Sequence, residues 1–252
     1  MARYFIELSY DGAAYCGWQR QPDAPTVQQK LEEALSTLLR EAIEVVGAGR
    51  TDTGVNASYY VAHFDSVGGV ADCGQLVYKL NLILPTDIAV KAVREVQAQA
   101  HARFDAVERE YTYYISQSKN PFRRFSAWQY YVPLDFDKMN LAAAKLLEYD
   151  DFTSFAKLNS NNKTNICRVV KAQWSRCEDD ANLLVFTIRA DRFLRNMIRA
   201  IVGTLVDVGR GRYSVEEFED ILRSRDLSRS SAGAPAVGLF LSDVQYGEKF
   251  EL

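Results

Sequence analysis

The chain has 252 residues, 48% of them hydrophobic, a length that suits two small domains better than one simple core. Its formal net charge of −3 argues mildly against nucleic-acid binding, although the placement of charge matters more than its sum. No apolar run is long enough to span a membrane, and the N-terminus alternates like a strand rather than resembling a signal peptide. We therefore expect neither a membrane span nor a secreted protein.

In chain order, the first half alternates strand-like and helix-like patterns. The expected strands are residues 3–10, 59–64 and 88–96. Thr26 and Gln29 have the spacing of a capping box, and they open a helix whose apolar residues recur to Leu39. A small-residue loop at 68–74 leads into a short helix that ends before Pro85.

The second half begins near Phe104 and continues the mixture of helices and strands. Its expected strands are residues 111–115, 169–174, 183–188 and 238–244. Its expected helices are residues 137–149, residues 192–208 and a last helix capped by Ser214 and Glu217. The polar run 159–165 is expected to be a loop. The patterns predict an N-terminal α/β domain over residues 1–104 and a C-terminal α/β domain over residues 105–252.

A glycine-rich segment, GAGRTDTGVNA at residues 47–57, lies between two strand-like runs. Glycines let such a loop approach a ligand closely, and Arg50 and Asp52 would then be held at the end of a sheet. A purely structural turn is the other interpretation. A phosphate-binding P-loop is excluded because Val55 and Asn56 follow Gly54 where Lys and Ser or Thr are needed, and a dinucleotide fingerprint lacks its third glycine.

The cysteines and histidines give no sign of a metal site. None of the four cysteines forms a CxxC pair, and free thiols in a reducing cytoplasm are the default. The two histidines, His63 and His101, could serve as acid–base groups. A single histidine in a strand pattern is more often packed against a partner, and we favour that interpretation for both.

Arginine is concentrated between residues 188 and 212, where six arginines stand against two aspartates. Arg192, Arg195 and Arg199 have helical spacing and would share one face of the expected helix. An ordinary solvated face is the common explanation of such a pattern. Because guanidinium groups bind phosphate and carboxylate through two parallel hydrogen bonds, contacts to phosphate or carboxylate are the alternative that we favour.

The loop sequence GRTDTGV at residues 49–55 resembles the GRTDAGV signature of tRNA pseudouridine synthases of the TruA family. Further segments agree with this family in the same order along the chain, so the resemblance extends from about Tyr4 to Tyr246. They are YDGAAYCGWQRQ from 10, TVQQKLEEAL from 26, HARF from 101, REYTYYI from 109, DFTSF from 151, FLRNMIRAIVGTLVDV from 193 and APAVGLFL from 234.

The resemblance implies an α+β fold made of two ferredoxin-like α/β halves, whose antiparallel sheets join around a central, positively charged cleft. It also implies a cytoplasmic homodimer that isomerises uridines to pseudouridine in the anticodon arm of tRNA. That reaction breaks a C–N glycosidic bond and forms a C–C bond. Because nothing is oxidised or added, neither a cofactor nor a metal is expected.

The resemblance also assigns roles to individual residues. Asp52 matches the catalytic carboxylate of the family, and Arg199 matches the arginine that accompanies it. Tyr111 matches the tyrosine that stacks on the target base, Leu239 matches the leucine that contacts uracil, and Arg50 matches an arginine that displaces the base from its stack. Whether Asp52 acts as a nucleophile or as a base is left open by the sequence.

Two positions of the loop depart from the family pattern: Thr53 stands where members often have alanine, and Asn56 stands where most members have histidine. Asparagine can still hydrogen-bond to an RNA backbone but cannot carry charge.

Arg192 and Arg195 are further candidates for RNA-backbone contacts. Two other functions remain open: a pseudouridine synthase acting on other RNAs, and a noncatalytic RNA-binding module on the same fold.

Overall fold

A computed structural model gives the fold of residues 1–157 and 163–247. Its strands are mostly antiparallel and alternate with helices, which confirms the expected α+β class. Most of the polar run 159–165 lies outside the described residues. None of the helices in these two ranges combines the length and the apolar character that spanning a bilayer requires.

The regular elements follow the chain in the order expected from the sequence. The strands are β1 (Ala2–Tyr10), β2 (Val45–Gly47), β3 (Asn56–Ser66), β4 (Ile88–Val96), β5 (Ala106–Ser116), β6 (Trp128–Gln129), β7 (Val169–Cys177), β8 (Asp180–Ala190) and β9 (Leu239–Tyr246). The α-helices are α1 (Val27–Leu39), α2 (Cys73–Ile83), α3 (Phe136–Lys145), α4 (Met197–Gly209) and α5 (Val215–Ser224).

The chain forms two compact units that interleave along the sequence. One unit comprises Met1–Arg109 together with the C-terminal segment that begins at Phe240, and the other comprises Glu110–Leu239. The expected division at residue 104 assumed two consecutive segments. The difference arises because β9 pairs in parallel with β3 of the first unit, with Phe240 opposite Asn56.

In the first unit, β4, β1, β3 and β9 lie side by side, and β2 pairs with the other end of β3. The β1 strand is antiparallel to both β3 and β4, and its alternate residues Tyr4, Ile6 and Leu8 are buried. Helix α1 buries Leu31 and Leu35, which are one turn apart. Helix α1 contacts β2 of this sheet, so its apolar stripe contributes to the core of the first unit.

The start of α1 shows only half of the predicted capping box. The Thr26 hydroxyl accepts a hydrogen bond from the Gln29 backbone N–H at 3.4 Å. The Gln29 side chain instead donates to Glu33 Oε1 at 2.8 Å. The helix thus has its N-cap, and Gln29 stabilises the next turn.

In the second unit, β5, β8 and β7 are hydrogen-bonded in that order, and the short β6 extends the pairing of β5. The predicted capping box of α5 is present in full. The Glu217 backbone N–H donates to Ser214 Oγ at 3.1 Å, and the Ser214 N–H donates to Glu217 Oε2 at 2.7 Å. These two bonds satisfy two otherwise unpaired N–H groups at the helix start.

The prediction that Arg192, Arg195 and Arg199 share one helical face is wrong. Helix α4 begins at Met197, and Asn196 before it has a left-handed backbone with φ of 63°. Upstream, Asp191 Oδ1 accepts a hydrogen bond from the Arg192 N–H at 2.7 Å, which holds an irregular turn. Only Arg199 is helical, and the other two arginines lie on the loop between β8 and α4.

Candidate active site

Asp52 is half-buried on the loop that joins β2 to β3. Its carbonyl oxygen accepts a hydrogen bond from the Val55 N–H at 3.1 Å, which closes a tight turn. Gly54 lies within this turn at φ of 75°, a backbone conformation that residues with side chains rarely adopt. The turn therefore fixes the direction of the chain immediately after the carboxylate.

The segment after β1 holds this loop through its backbone. The Trp18 N–H donates to the Thr51 carbonyl at 3.3 Å, and the Gly54 N–H donates to the Tyr15 carbonyl at 3.2 Å. Gly17 approaches so closely that a Cβ atom there would lie 2.3 Å from the Thr51 oxygen. The close contact explains why glycine occupies this position in a segment otherwise rich in larger residues.

Three buried aromatic side chains, those of Tyr10, Trp18 and Tyr60, support the same loop. The rings of Trp18 and Tyr60 stack with centroids 4.1 Å apart. The Tyr60 hydroxyl donates a short hydrogen bond to the Gly49 carbonyl, and the Tyr10 hydroxyl pairs with Thr51 Oγ1 at 2.9 Å. The residues on both sides of Arg50 are thus anchored, whereas the Arg50 side chain is exposed.

Asn56 occupies a different position from the one expected of an RNA contact. It is only 2% exposed, and its Oδ1 accepts a hydrogen bond from the Gly12 N–H at 2.8 Å. A Cβ atom on Gly12 would lie 2.1 Å from the Val55 carbonyl oxygen. Asn56 therefore ties the loop to the segment after β1, and its amide lies in the interior instead of facing a ligand.

In the second unit, Tyr111 lies half-buried on β5, where its ring meets the ring of Phe193 edge-on at a centroid distance of 5.2 Å. Phe193 lies on the loop before α4, although its spacing with Met197 indicated the packed side of a helix. Sequence reasoning missed it as a neighbour of Tyr111. Its place in the FLRNMIR segment was the only available signal.

Tyr113 lies on the same side of β5 as Tyr111 but is fully buried. Its hydroxyl donates to the Pro235 carbonyl at 2.7 Å. Burial raises the pKa of this phenol well above its ordinary value, with a smaller opposing effect from Arg199. Tyr113 is thus a core residue that fixes β5, whereas Tyr111 is only half-buried.

Arg199 lies in the first turn of α4 and makes two hydrogen bonds to Ala234. Its Nε donates to the Ala234 carbonyl at 2.6 Å, and its own carbonyl accepts from the Ala234 N–H at 2.9 Å. One turn later, Gly203 lets Ala232 approach so closely that a Cβ atom would lie 2.2 Å from the Ala232 oxygen. The segment leading to Leu239, which is 5% exposed, is thereby fixed to α4.

The two arginines on the loop before α4 differ in exposure. Arg195 is exposed, and its carbonyl accepts from the Lys157 N–H at 3.2 Å. Arg192 is half-buried. Both arginines therefore lie on a loop rather than on a helix.

The two histidines are packed as expected. His63 is buried and accepts the Ala102 N–H at Nδ1, while His101 accepts the N–H groups of Arg103 and Phe104. Burial, together with the nearby positive charges of Arg3 and His101, lowers the pKa of His63 to about 4. Within residues 1–157 and 163–247, no three His, Cys, Asp or Glu side chains cluster as metal ligands would.

The candidate residues thus form local groups within each unit. In the first unit, the Asp52 loop includes the exposed Arg50, and Asn56 anchors the loop to the segment after β1. In the second unit, Tyr111 contacts Phe193, while Arg199 holds the segment that precedes Leu239.

Comparison with known proteins gives consistent matches. A family model described as tRNA pseudouridine synthase matches residues 8–105 and 142–247. A protein of Bacteroides thetaiotaomicron named tRNA pseudouridine synthase A is 52% identical over 98% of this chain and 92% of its own length. Proteins of the same name from Porphyromonas gingivalis and Exiguobacterium sibiricum are 51% and 35% identical, each over 98% of both chains.

These matches place the chain in a class of RNA-modifying isomerases. It belongs to the tRNA pseudouridine synthase family, which confirms the resemblance carried by its motifs. The matched ranges include the Asp52 loop and the α4 region.

Proposed function

We propose that this protein isomerises uridines in the anticodon stem-loop of tRNA to pseudouridine, with Asp52 as the catalytic carboxylate. The observation that carries this proposal is the fixed backbone around Asp52. Gly49 and Thr51 are held by buried tyrosine hydroxyls, and the turn at Gly54 fixes the other side. Preorganised groups of this kind lose little freedom when a substrate binds.

The chemistry needs only such a carboxylate and a bound nucleotide. The glycosidic C–N bond of uridine breaks, the uracil ring rotates, and C5 of the ring bonds to C1′ of the ribose while the C5 proton moves to solvent and a ring nitrogen regains one. The Asp52 carboxylate either forms a transient bond to the substrate or removes a proton from it. Atoms and electrons balance in both cases without an added reagent.

The other residues assigned by the family resemblance would supply the groups that an extruded base needs. The half-buried Tyr111 supplies a ring for stacking, and its edge-on contact with Phe193 restricts the rotation of that ring. Arg199 fixes the segment before Leu239, and Leu239 is the residue we assign to the uracil contact. We assign base displacement to the exposed Arg50, and phosphate contacts to Arg192 and Arg195.

The direct test is pseudouridine mapping with purified protein and unmodified tRNA transcripts. Carbodiimide labelling followed by primer extension gives the modified positions, and tRNA from cells with and without the protein gives the natural ones. We expect new pseudouridine in the anticodon arm only with wild-type protein, and none with Asp52→Asn. Modification confined to other RNAs, or equal modification by both proteins, would contradict the proposal.

Three further expectations rest on the family resemblance alone and stay predictions. They are a cytoplasmic location, a homodimer that binds one tRNA across both subunits, and a positively charged cleft between ferredoxin-like halves. Light scattering with and without tRNA measures the subunit number. A monomer that modifies tRNA at full rate would contradict the dimer.

A further inference from the structure

A surface of the second unit outside the residues assigned above carries exposed aromatic rings. It consists of residues 117–132, which run from the end of β5 past β6, and we name it the aromatic–basic loop. Phe122 is 93% exposed, Phe125 is 59% exposed and Tyr131 is 58% exposed. Large rings so exposed to water in one short segment are typical of an interaction surface.

All charged side chains of this loop are positive. Lys119, Arg123 and Arg124 lie within it, and the sequence has no acidic residue between Glu110 and Asp135. The rest of the chain is acidic enough to give the whole protein a net charge of −3. The loop therefore combines a local positive charge with its exposed aromatic rings.

The loop is also built to hold its shape. The Arg123 carbonyl accepts hydrogen bonds from the Ser126 N–H at 3.1 Å, the Ala127 N–H at 3.0 Å and Gln129 Nε2 at 3.3 Å. At the other end, Asn120 Oδ1 accepts the Phe122 N–H at 3.0 Å. These bonds fix the backbone on both sides of Phe122, so its ring is presented outward by a defined turn.

One pair within the loop shows the geometry that nucleic acids use. The Arg124 guanidinium lies over the ring of Phe125, with its central carbon 4.6 Å from the ring centroid. A base stacked against such a pair gains ring contact, and its phosphate gains a nearby cation. An apolar protein partner would gain the ring contact but would have to desolvate three cations without a matching acid in the loop.

We propose that the aromatic–basic loop binds unpaired nucleotides of an RNA, by stacking bases on Phe122 and Phe125 and pairing phosphates with Arg123 and Arg124. The identity of that RNA as tRNA rests on the proposed function. From Tyr111 to the end of β5 the strand extends about 16 Å. The loop is thus a second RNA contact, separate from the one that receives the target base.

The test compares RNA binding by paired variants. Phe122→Ala/Phe125→Ala removes the rings, whereas Phe122→Tyr/Phe125→Tyr retains them. The control is Tyr78→Ala/Leu82→Ala, which removes two exposed side chains from α2 in the first unit. The probes are a tRNA transcript, a single-stranded RNA and a duplex of the same length, each titrated by fluorescence anisotropy.

We expect the alanine pair to raise the Kd for tRNA and for single-stranded RNA at least about tenfold, because the removal of even one stack weakens binding by roughly that factor. The tyrosine pair and the control should bind both probes as the wild type does. Duplex RNA should show no difference among the four proteins, because its bases are not available for stacking.

A second double variant, which removes two positive charges, tests the phosphate contacts. Arg123→Gln/Arg124→Gln should flatten the salt dependence of tRNA binding by about one unit of logarithmic slope for each phosphate group that the variant no longer binds. Its control, Arg40→Gln/Lys79→Gln, removes two exposed charges elsewhere and should leave the slope unchanged.

Several outcomes would overturn the proposal. One is an unchanged Kd for the alanine pair; another is an equal loss of duplex binding. A change of subunit number without a change in Kd would assign the loop to a protein contact instead. The proposed function is judged separately by pseudouridine formation in the wild type, so either conclusion can fail while the other stands.

Discussion

Asn56 and Gly12 are joined by a hydrogen bond of 2.8 Å from the Gly12 N–H to Asn56 Oδ1, across 44 residues of sequence. The bond connects the first residue of β3 to the segment after β1. In the sequence, the Asp52 loop lies between these two residues. A side chain chosen to meet RNA would be accessible, and this one is buried. Its contribution to the site is therefore to hold the loop in place.

We predict that Asn56→Ala destabilises the protein by about 1–3 kcal/mol, because the buried Gly12 N–H loses its partner. Pseudouridine formation per folded molecule should also fall, since the Asp52 loop loses an anchor. Urea unfolding and single-turnover rates measure the two effects. Thr53→Ala, an exposed change in the same loop, is the control and should alter stability by less than about 0.5 kcal/mol.

We predict that Asp52→Asn reduces single-turnover pseudouridine formation at least about a hundredfold while tRNA affinity and melting temperature stay close to wild type. Asparagine keeps the shape of the side chain but can neither attack nor accept a proton as a carboxylate does. Appreciable product from the purified variant would remove Asp52 from the mechanism.

Tyr111 and Tyr113 should respond in opposite ways to the same substitution. Tyr113→Ala is expected to lower the free energy of unfolding by about 3–5 kcal/mol, because this ring is fully buried. Tyr111→Ala should cost less stability and more activity, and Tyr111→Phe should retain most activity because stacking uses the ring face.

Thermal unfolding measured beside single-turnover rates separates these roles. A large stability loss with full activity for Tyr111→Ala would show that Tyr111 is only a core residue. If Tyr111→Phe were as inactive as Tyr111→Ala, the hydroxyl rather than the ring would carry the function.

The arginines around α4 should divide into two groups. Arg195→Ala and Arg192→Ala are expected to weaken tRNA binding and to flatten its salt dependence by about one unit of slope per phosphate contact. Arg199→Ala should mainly reduce the catalytic rate, because the segment before Leu239 loses its bond from Nε to Ala234. Binding by the first two variants that matches wild type across a salt titration would contradict their assignment.

Stability should decrease in mild acid through His63. The folded-state pKa of this group lies at about 4, below the ordinary value of 6.5, so the unfolded chain takes up a proton that the folded protein does not. The free energy of unfolding should therefore fall as the pH decreases from 6.5 to 4. Urea unfolding at steps of pH measures this slope, which should be smaller in His63→Asn; an equal slope in both proteins would assign it to other groups.

The elements with strong local signals could be predicted from the sequence. Apolar periodicity and capping residues indicated α1 and α5, because a helix start depends on contacts within one turn. The start of α4 could not be predicted in this way. Phe193 and Met197 have helical spacing, but the left-handed backbone at Asn196 and the turn at Asp191 interrupt the helix, and neither leaves a clear periodic pattern.

The motifs of the sequence named candidate site residues, but they did not indicate the contacts that support these residues. The GRTDTGV motif pointed to Arg50 and Asp52, and the α4 motif pointed to Arg199. The bonds that hold them, from Tyr60 to Gly49 and from Arg199 to Ala234, join residues 11 and 35 positions apart. Sequence spacing carries no information about such pairs, because they are created by tertiary packing.

The parallel pairing of β9 with β3 has a consequence for synthesis of the protein. The first unit cannot complete its hydrogen bonding around Asn56 and Ala57 until the strand beginning at Leu239 has left the ribosome. Non-local pairing of this kind forms late and slowly. A ribosome-bound chain that ends before β9 would thus hold the sheet of the first unit with an open edge beside the loop that carries Asp52, and pairing with β9 closes this edge only after the second unit has been synthesised.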